Sequence, residues 1–383
     1  MRAAATRLGT LLLTVAIGGV LITDAAVVGS RHRDQGGGGT VAVVRSKGAK
    51  PSALQAALPE LVAFVEQSRG LKFVRPPKVE LLADDKFEAR LMEGQESDPK
   101  GEAAFVGVLR ALGLVTGEVD LGAVANDTVS NIVGFYDPQT RVLYARGTEP
   151  TPYVKSVLVH ELTHALDDQH FNIYRPDLDD EASPAFDALV EGSAMTVEKR
   201  WHDSRPAAEQ GAIDAEEGSG PDTEPDVFMQ LFAFPYQVGP RLVQALVDAG
   251  GQARLDEAFR TPPASTEQAI HADHFLSGDA VKAVAPPAAD GAIVDEGTLG
   301  ELGLILLLDS ATSRSVALKA AAGWGGDHYV AWTSGSKTCV RFTVVMDTAQ
   351  DTSELVSALK SWTANNAGAT VKGAGPVTAT NCA

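Results

Sequence analysis

VLVHELTHALDDQH, residues 157–170, places His160 and His164 four residues apart with Glu161 beside the first. The surrounding run TPYVKSVLVHELTHALDDQ has the periodicity of a helix. Val154, Leu158, Leu162, Ala165 and Leu166 form one apolar stripe. The two histidines fall opposite it with Tyr153, Ser156, Asp167 and Asp168, and Glu161 lies at the border. Side chains at i and i+4 stack with Cβ atoms about 5–6 Å apart, so both imidazoles can address one ion. Imidazole suits Zn²⁺ at a bond length of about 2.0–2.1 Å. A carboxylate next to the first ligand can then hold a metal-bound water and take its proton.

A tetrahedral ion that keeps one open position needs a third protein ligand. SPAFDALVEGSAMTVEKRW, residues 183–201, reads as the next helix, with Ser183 as N-cap and Pro184 at its first position. Phe186, Leu189, Val190, Val197 and Trp201 make its apolar stripe, and Asp187, Glu191 and Glu198 share the other face. Glu191 is central, and Gly192 and Ala194 permit close packing against the histidine helix. On wheel geometry alone, Asp187 and Glu198 stay open as alternative ligands.

The chain of 383 residues is ordinary in composition, 44% hydrophobic and 21% charged, and carries a formal net charge of −18. That balance disfavours nucleic acid and anionic lipid surfaces as partners, since both need a basic patch. At the start, Arg2 and Arg7 precede an apolar run from Leu8 to Ile22 and small residues at Ala25 and Ala26. This is the order of an export signal; an uncleaved N-terminal anchor is the rival, and would be the only membrane contact. The two cysteines, Cys339 and Cys382, suit a disulfide in an exported chain.

The expected organisation is α+β. Residues 1–30 form the signal or anchor and 31–50 a Gly-rich flexible linker. Residues 51–150 form the α/β half of a catalytic unit, in which NIVGFYDPQTRVLYARG, residues 131–147, reads as a hairpin. Residues 151–290 form its helical, metal-binding half, and 291–383 a small α+β module. DSRPAAEQGAIDAEEGSGPDTEPD, residues 203–226, reads as an acidic loop or lid. Ser265 and Gln268 resemble a capping box. Asn126 begins a glycosylation sequon of little weight.

His160-Glu161-Leu162-Thr163-His164 followed by EGSA resembles the gluzincin type of zinc metallopeptidase. More narrowly, VHELTHALDDQH, ALVEGSAM, PPASTEQAIH and AAGWGGDHYV are similar to a set of poorly characterised exported bacterial metallopeptidases. The resemblance implies a zincin-like catalytic domain with a small mixed sheet, an active-site helix and a mostly helical second half. It implies one zinc per chain held by His160, His164 and Glu191, with Glu161 as base. It also implies an edge strand of the hairpin against which a peptide adds. In thermolysin-like members an aspartate one turn after the glutamate ligand orients the first histidine; here that place is Met195, so Asp167 or Asp168 is the expected substitute.

The activity so implied is hydrolysis of peptide bonds, as an endopeptidase. Its tetrahedral oxyanion needs a donor besides the metal. His271 is the first choice, followed by Tyr236 and His274. Two other readings compete: a zinc hydrolase of a non-peptide amide or ester, and a catalytically silent zinc-containing scaffold or binding protein. An intact Glu161 argues against the last, because a purely structural site has no use for a base there.

Overall fold

The computed structural model describes residues 42–43, 52–91, 93, 98–124, 132–147, 149–217 and 226–383. The N-terminal signal or anchor, nearly all of the linker and the sequon at Asn126 lie outside the described residues. Ala42–Val43 (β1), expected as flexible linker, is a short strand. The N-terminal half continues with α1 (Ala53–Arg69), β2 (Lys78–Leu82), α2 (Asp84–Leu91) and α3 (Pro99–Leu112), then the hairpin β3 (Gly134–Asp137) and β4 (Val142–Arg146). Helix α1 is closed by a capping box of Ser52 with Gln55 and ended by Gly70 in the left-handed region, where a side chain would be strained. The four strands order as β1-β2-β4-β3, with the first two pairings parallel and the hairpin antiparallel. This puts β3 at the edge of a mixed sheet.

Helix α4 (Pro152–Phe171) carries both histidines and leaves β4 after a turn, capped by Thr151. It is followed by α5 (Ala182–Asp203), α6 (Ala207–Glu217) and α7 (Val227–Arg260). Helix α4 is buried on nearly every side: the apolar stripe is covered, and so are Ser156, Glu161, Thr163, His164, Asp167 and Asp168. One hydrophobic core joins α1, the sheet, α4, α5 and α7 through Leu61, Leu143, Leu158, Leu189 and Leu246.

Three sequence expectations are corrected here. Helix α5 opens at Ala182 rather than after Ser183, because the Asp179 carboxylate accepts the amides of Glu181 and Ala182. Residues 207–217 are a helix, not a loop, since Pro206 precedes a run of good helix formers that buries Ile213. Of the capping box, only the Ser265 half forms: Ser265 Oγ accepts from the Gln268 amide, while Gln268 Oε1 turns to the Ala264 amide.

After α8 (Thr266–Ile270) and α9 (Ala272–Ser277) come β5 (Ile293–Gly297), α10 (Gly300–Asp309), α11 (Arg314–Ala321), β6 (Trp324–Ser334), β7 (Lys337–Met346), α12 (Ala349–Asn365), β8 (Thr370–Lys372) and β9 (Val377–Cys382). Their sheet orders as β5-β6-β7-β9-β8 and is antiparallel throughout. The fold is thus α+β, with two separate sheets. Cys339 and Cys382 face each other across β7 and β9 and form a disulfide, as befits an oxidising, extracytoplasmic environment. Closing 43 residues stabilises the module by roughly 4 kcal/mol on the chain-entropy model. Among the described residues no helix is long and apolar enough to cross a membrane.

The C-terminal module is not a separate bead. Helix α3, from the N-terminal half, supplies Val108, Ala111 and Leu112 to its core. Trp362 Nε1 donates to the Leu112 carbonyl at 2.7 Å and Asn381 Nδ2 to that of Ala111 at 2.8 Å. Gly107 lets the Thr338 side chain of β7 approach, for a Cβ there would stand 2.4 Å from its hydroxyl.

Candidate metal centre

Helices α4 and α5 bring one nitrogen each from His160 and His164 and one oxygen of Glu191 within 4.8 Å of one another. His160 Nε2 lies 3.1 Å from Glu191 Oε2, and His164 Nε2 lies 3.6 Å from Oε1. The two rings meet edge to face, with centroids 4.7 Å apart. Ligand atoms bonded to one tetrahedral ion at about 2.0–2.1 Å sit about 3.3 Å apart, so the observed separations suit a shared cation. Glu191 is fully buried, and its Oε1 has no hydrogen-bond donor. An ionised oxygen stranded like that is costly unless a cation meets it. The donor set therefore fits a divalent metal.

Charge in the site follows from these neighbours. Burial opposes ionisation of Glu191, but the neighbouring His164 and the bond from His160 lower its pKa to about 2. Burial likewise opposes a charged His160, yet its bonds to Glu191 and Glu198 outweigh that and hold it well above the usual imidazole range. Glu161 is pushed up by burial, with the nearby histidines pulling the other way. Its Oε2 accepts the Tyr136 amide of edge strand β3 at 2.7 Å, which fixes the carboxylate.

The orientation of the first histidine comes from a residue that the sequence offered only as a spare ligand. His160 Nδ1 is 3.0 Å from Glu198 Oε2, and the other oxygen of Glu198 accepts from Ser156 at 3.0 Å. Asp167 and Asp168, expected in that role, serve otherwise. Asp167 pairs with the buried Arg69 guanidinium at 2.9 Å and accepts from Ser193 at 2.7 Å. Arg69 also reaches Gln252 and Asp256, tying α1 to α4, α5 and α7. Losing one side of such a buried pair costs about 3–5 kcal/mol. Asp168 accepts the Tyr136 hydroxyl at 2.8 Å and the Ile173 amide at 3.1 Å. The signal for Glu198 was its place on the Glu191 face, two turns on.

Of the residues expected as oxyanion donors, the structure brings Tyr236 to the site and pairs His271 elsewhere. Tyr236, on α7, is hydrogen-bonded to Glu191; burial and the charges of Glu191, Glu161 and Asp187 hold its phenol well above the usual range, so it stays a donor. His271 Nε2 is 3.0 Å from Glu301 Oε1, and His274 Nδ1 lies 3.5 Å from Glu267. His271 is thus occupied, and both histidines lie at the junction of α8, α9 and α10. The approach of α7 depends on glycine. A Cβ on Gly192 would stand 2.2 Å from the Gly239 carbonyl oxygen, and one on Gly239 2.2 Å from that of Ala188. Gly192 was expected to pack against the histidine helix; it packs against α7 instead, because the Gly239 backbone fills the space beside it.

A family model for a domain of unknown function, DUF8575, matches residues 290–381, which coincide with the C-terminal α+β module. No curated protein and no solved structure matches the chain.

Proposed function

We propose that the chain is an exported zinc-dependent peptidase with a zincin-like catalytic unit. The observation that carries this reading is the convergence of His160, His164 and Glu191, with the Glu161 carboxylate held beside them by a backbone amide. Zinc bound there supplies a Lewis acid that polarises a carbonyl and brings the pKa of water toward ~7.

The chain's own groups do the rest. Glu161 Oε1 takes a proton from the attacking water as its oxygen bonds to the scissile carbon. The same carboxyl then delivers that proton to the amide nitrogen as the C–N bond breaks. Glu198 holds the His160 ring by Nδ1, so Nε2 points to the ligand position. The Tyr236 phenol, kept protonated, donates to the oxyanion as charge develops on it. Strand β3 lies at the sheet edge beside Glu161 and offers backbone groups to an extended peptide.

Metal analysis and a peptide-library digest, run on wild type and on Glu161→Gln, test the proposal. The expected result is one zinc per chain in both proteins, with cleavage only in wild type. Wild type that retains zinc yet cleaves no peptide overturns it, and leaves the zinc-containing scaffold as the better reading.

A further inference from the structure

Arg141 closes the turn between β3 and β4 with φ 57°, in the left-handed region where glycine sits without strain. The turn is held by other groups. The Asp137 carboxylate accepts the amides of Gln139 and Thr140 and the Thr140 hydroxyl, and the Arg141 amide donates to the Asp137 carbonyl at 2.7 Å. None of these bonds uses the Arg141 side chain, so glycine would serve the turn better. A long cationic side chain at such a position points to a use outside the turn.

That side chain reaches over α4. Its Nε lies 3.7 Å from Asp168 Oδ2, and the side chain is 51% exposed. The same carboxylate already accepts the Tyr136 hydroxyl at 2.8 Å and the Ile173 amide at 3.1 Å. A separation of 3.7 Å is too long for a hydrogen bond, so Asp168 aims the guanidinium by charge without using up its donors. Among the described residues no hydrogen bond reaches Nη1 or Nη2 of Arg141. Arg90 approaches the same turn but is engaged by Asp137 at 2.8 Å and by Glu93.

Tyr136 ties this cation to the candidate site. Its amide donates to Glu161 and its hydroxyl to Asp168, so one residue of edge strand β3 spans both carboxylates. Seven residues of α4 separate them, two turns along one face, or about 10 Å. A peptide laid on the β3 edge advances about 3.3 Å per residue. We infer that Arg141 binds a carboxylate of the peptide substrate about three residues from the scissile bond, which makes peptides with an acidic side chain there the preferred class. This rests on the peptidase reading of the same site. A guanidinium can meet a carboxylate with two parallel N–H···O bonds. A free carboxyl terminus at that distance offers the same chemistry, whereas glutamine has no charge to offer.

The test is calorimetric binding to the zinc-loaded Glu161→Gln variant, so that no turnover is needed. The probes are octapeptides of one fixed, uncharged sequence, acetylated and amidated at their ends, in which a single glutamate or glutamine is walked through every position. A further pair is the parent octapeptide with a free or an amidated carboxyl end. The expected result is one position at which glutamate binds on the order of tenfold tighter than glutamine. That advantage should vanish when Arg141→Gly is added, while the glutamine peptides bind as before. Glycine suits the left-handed turn, so the urea midpoint should stay the same or rise. Discrimination by the carboxyl end alone, lost in Arg141→Gly, keeps the carboxylate site and assigns it to the chain terminus. Absence of any charge discrimination, or discrimination that survives Arg141→Gly, overturns the inference. Failure of wild type to cleave any peptide sinks the peptidase reading separately, whatever the binding shows.

Discussion

Glu198 Oε2 lies 3.0 Å from His160 Nδ1, while Glu191 Oε2 lies 3.1 Å from Nε2 of the same ring. One helix therefore grips both nitrogens of the imidazole, seven residues apart along its axis. Carboxylates that hold the outer nitrogen of a ligand histidine fix its tautomer and raise its basicity, and their loss typically weakens metal binding by about 10- to 100-fold. Glu198→Gln should show a loss of that size in a chelator-competition titration, with Glu191→Gln losing far more. Unchanged zinc affinity in Glu198→Gln would mean that the contact is a surface pairing only.

Tyr236 is expected to act through its hydroxyl alone. Phenylalanine at that position keeps the ring and the packing of α7 and removes the donor. Deleting one oxyanion donor costs about 10²–10³ in kcat. Tyr236→Phe should therefore lower kcat by that factor while KM and zinc content stay near wild type. A drop in zinc content of the same size would instead assign the hydroxyl to holding Glu191.

Much of this was readable from spacing. The pair His160 and His164 needed only the helical period, and the hairpin Gly134–Arg146 only its β-rich runs around a turn. What spacing does not encode is which faces of different helices meet. The acidic face of α5 offered Glu191 with Asp187 and Glu198 as alternatives; the crossing of α4 and α5 gives them three different surroundings. Asp167 looked available to a histidine until Arg69, almost a hundred residues earlier, claimed it. His271 sat in a motif-like run, yet its partner Glu301 comes from the C-terminal module. Helix α3 likewise read as part of the first half, because contacts such as Trp362 with Leu112 leave no local trace.

The glycine pair gives a stability test with a functional consequence. A methyl on Gly239 would enter the Ala188 carbonyl and the Gly192 backbone. Neither obstacle is a flexible side-chain end, so α5 and α7 must separate. Overpacking of that kind costs about 1–3 kcal/mol. Gly239→Ala should lower the urea midpoint by a corresponding amount and also lower kcat, since Tyr236 rides on the displaced helix. Gly211, which faces open space on α6, is the control: alanine there should leave the midpoint unchanged or raise it.

The C-terminal module should lose stability as pH rises through 6. Asp295 and Asp327 are buried, and burial pushes each up to about 6, even though Tyr329 donates to the first and Trp324 and two backbone amides to the second. In the unfolded chain an aspartate titrates near 4. Between those values the folded state holds protons that the unfolded state has released, so stability falls with rising pH from about 4 to beyond 6. Glu267, pushed up to about 8 by burial and the nearby Glu301, extends the decline. Three of the four tryptophans, Trp324, Trp332 and Trp362, lie in the module and report on it by fluorescence. With a chelator present throughout to remove metal linkage, the urea midpoint should be higher at pH 5 than at pH 7.5. Asp295→Asn, which keeps an acceptor for Tyr329, should flatten the slope. A midpoint that rises from pH 5 to 7.5 would show that these carboxyls are charged and satisfied in the folded protein.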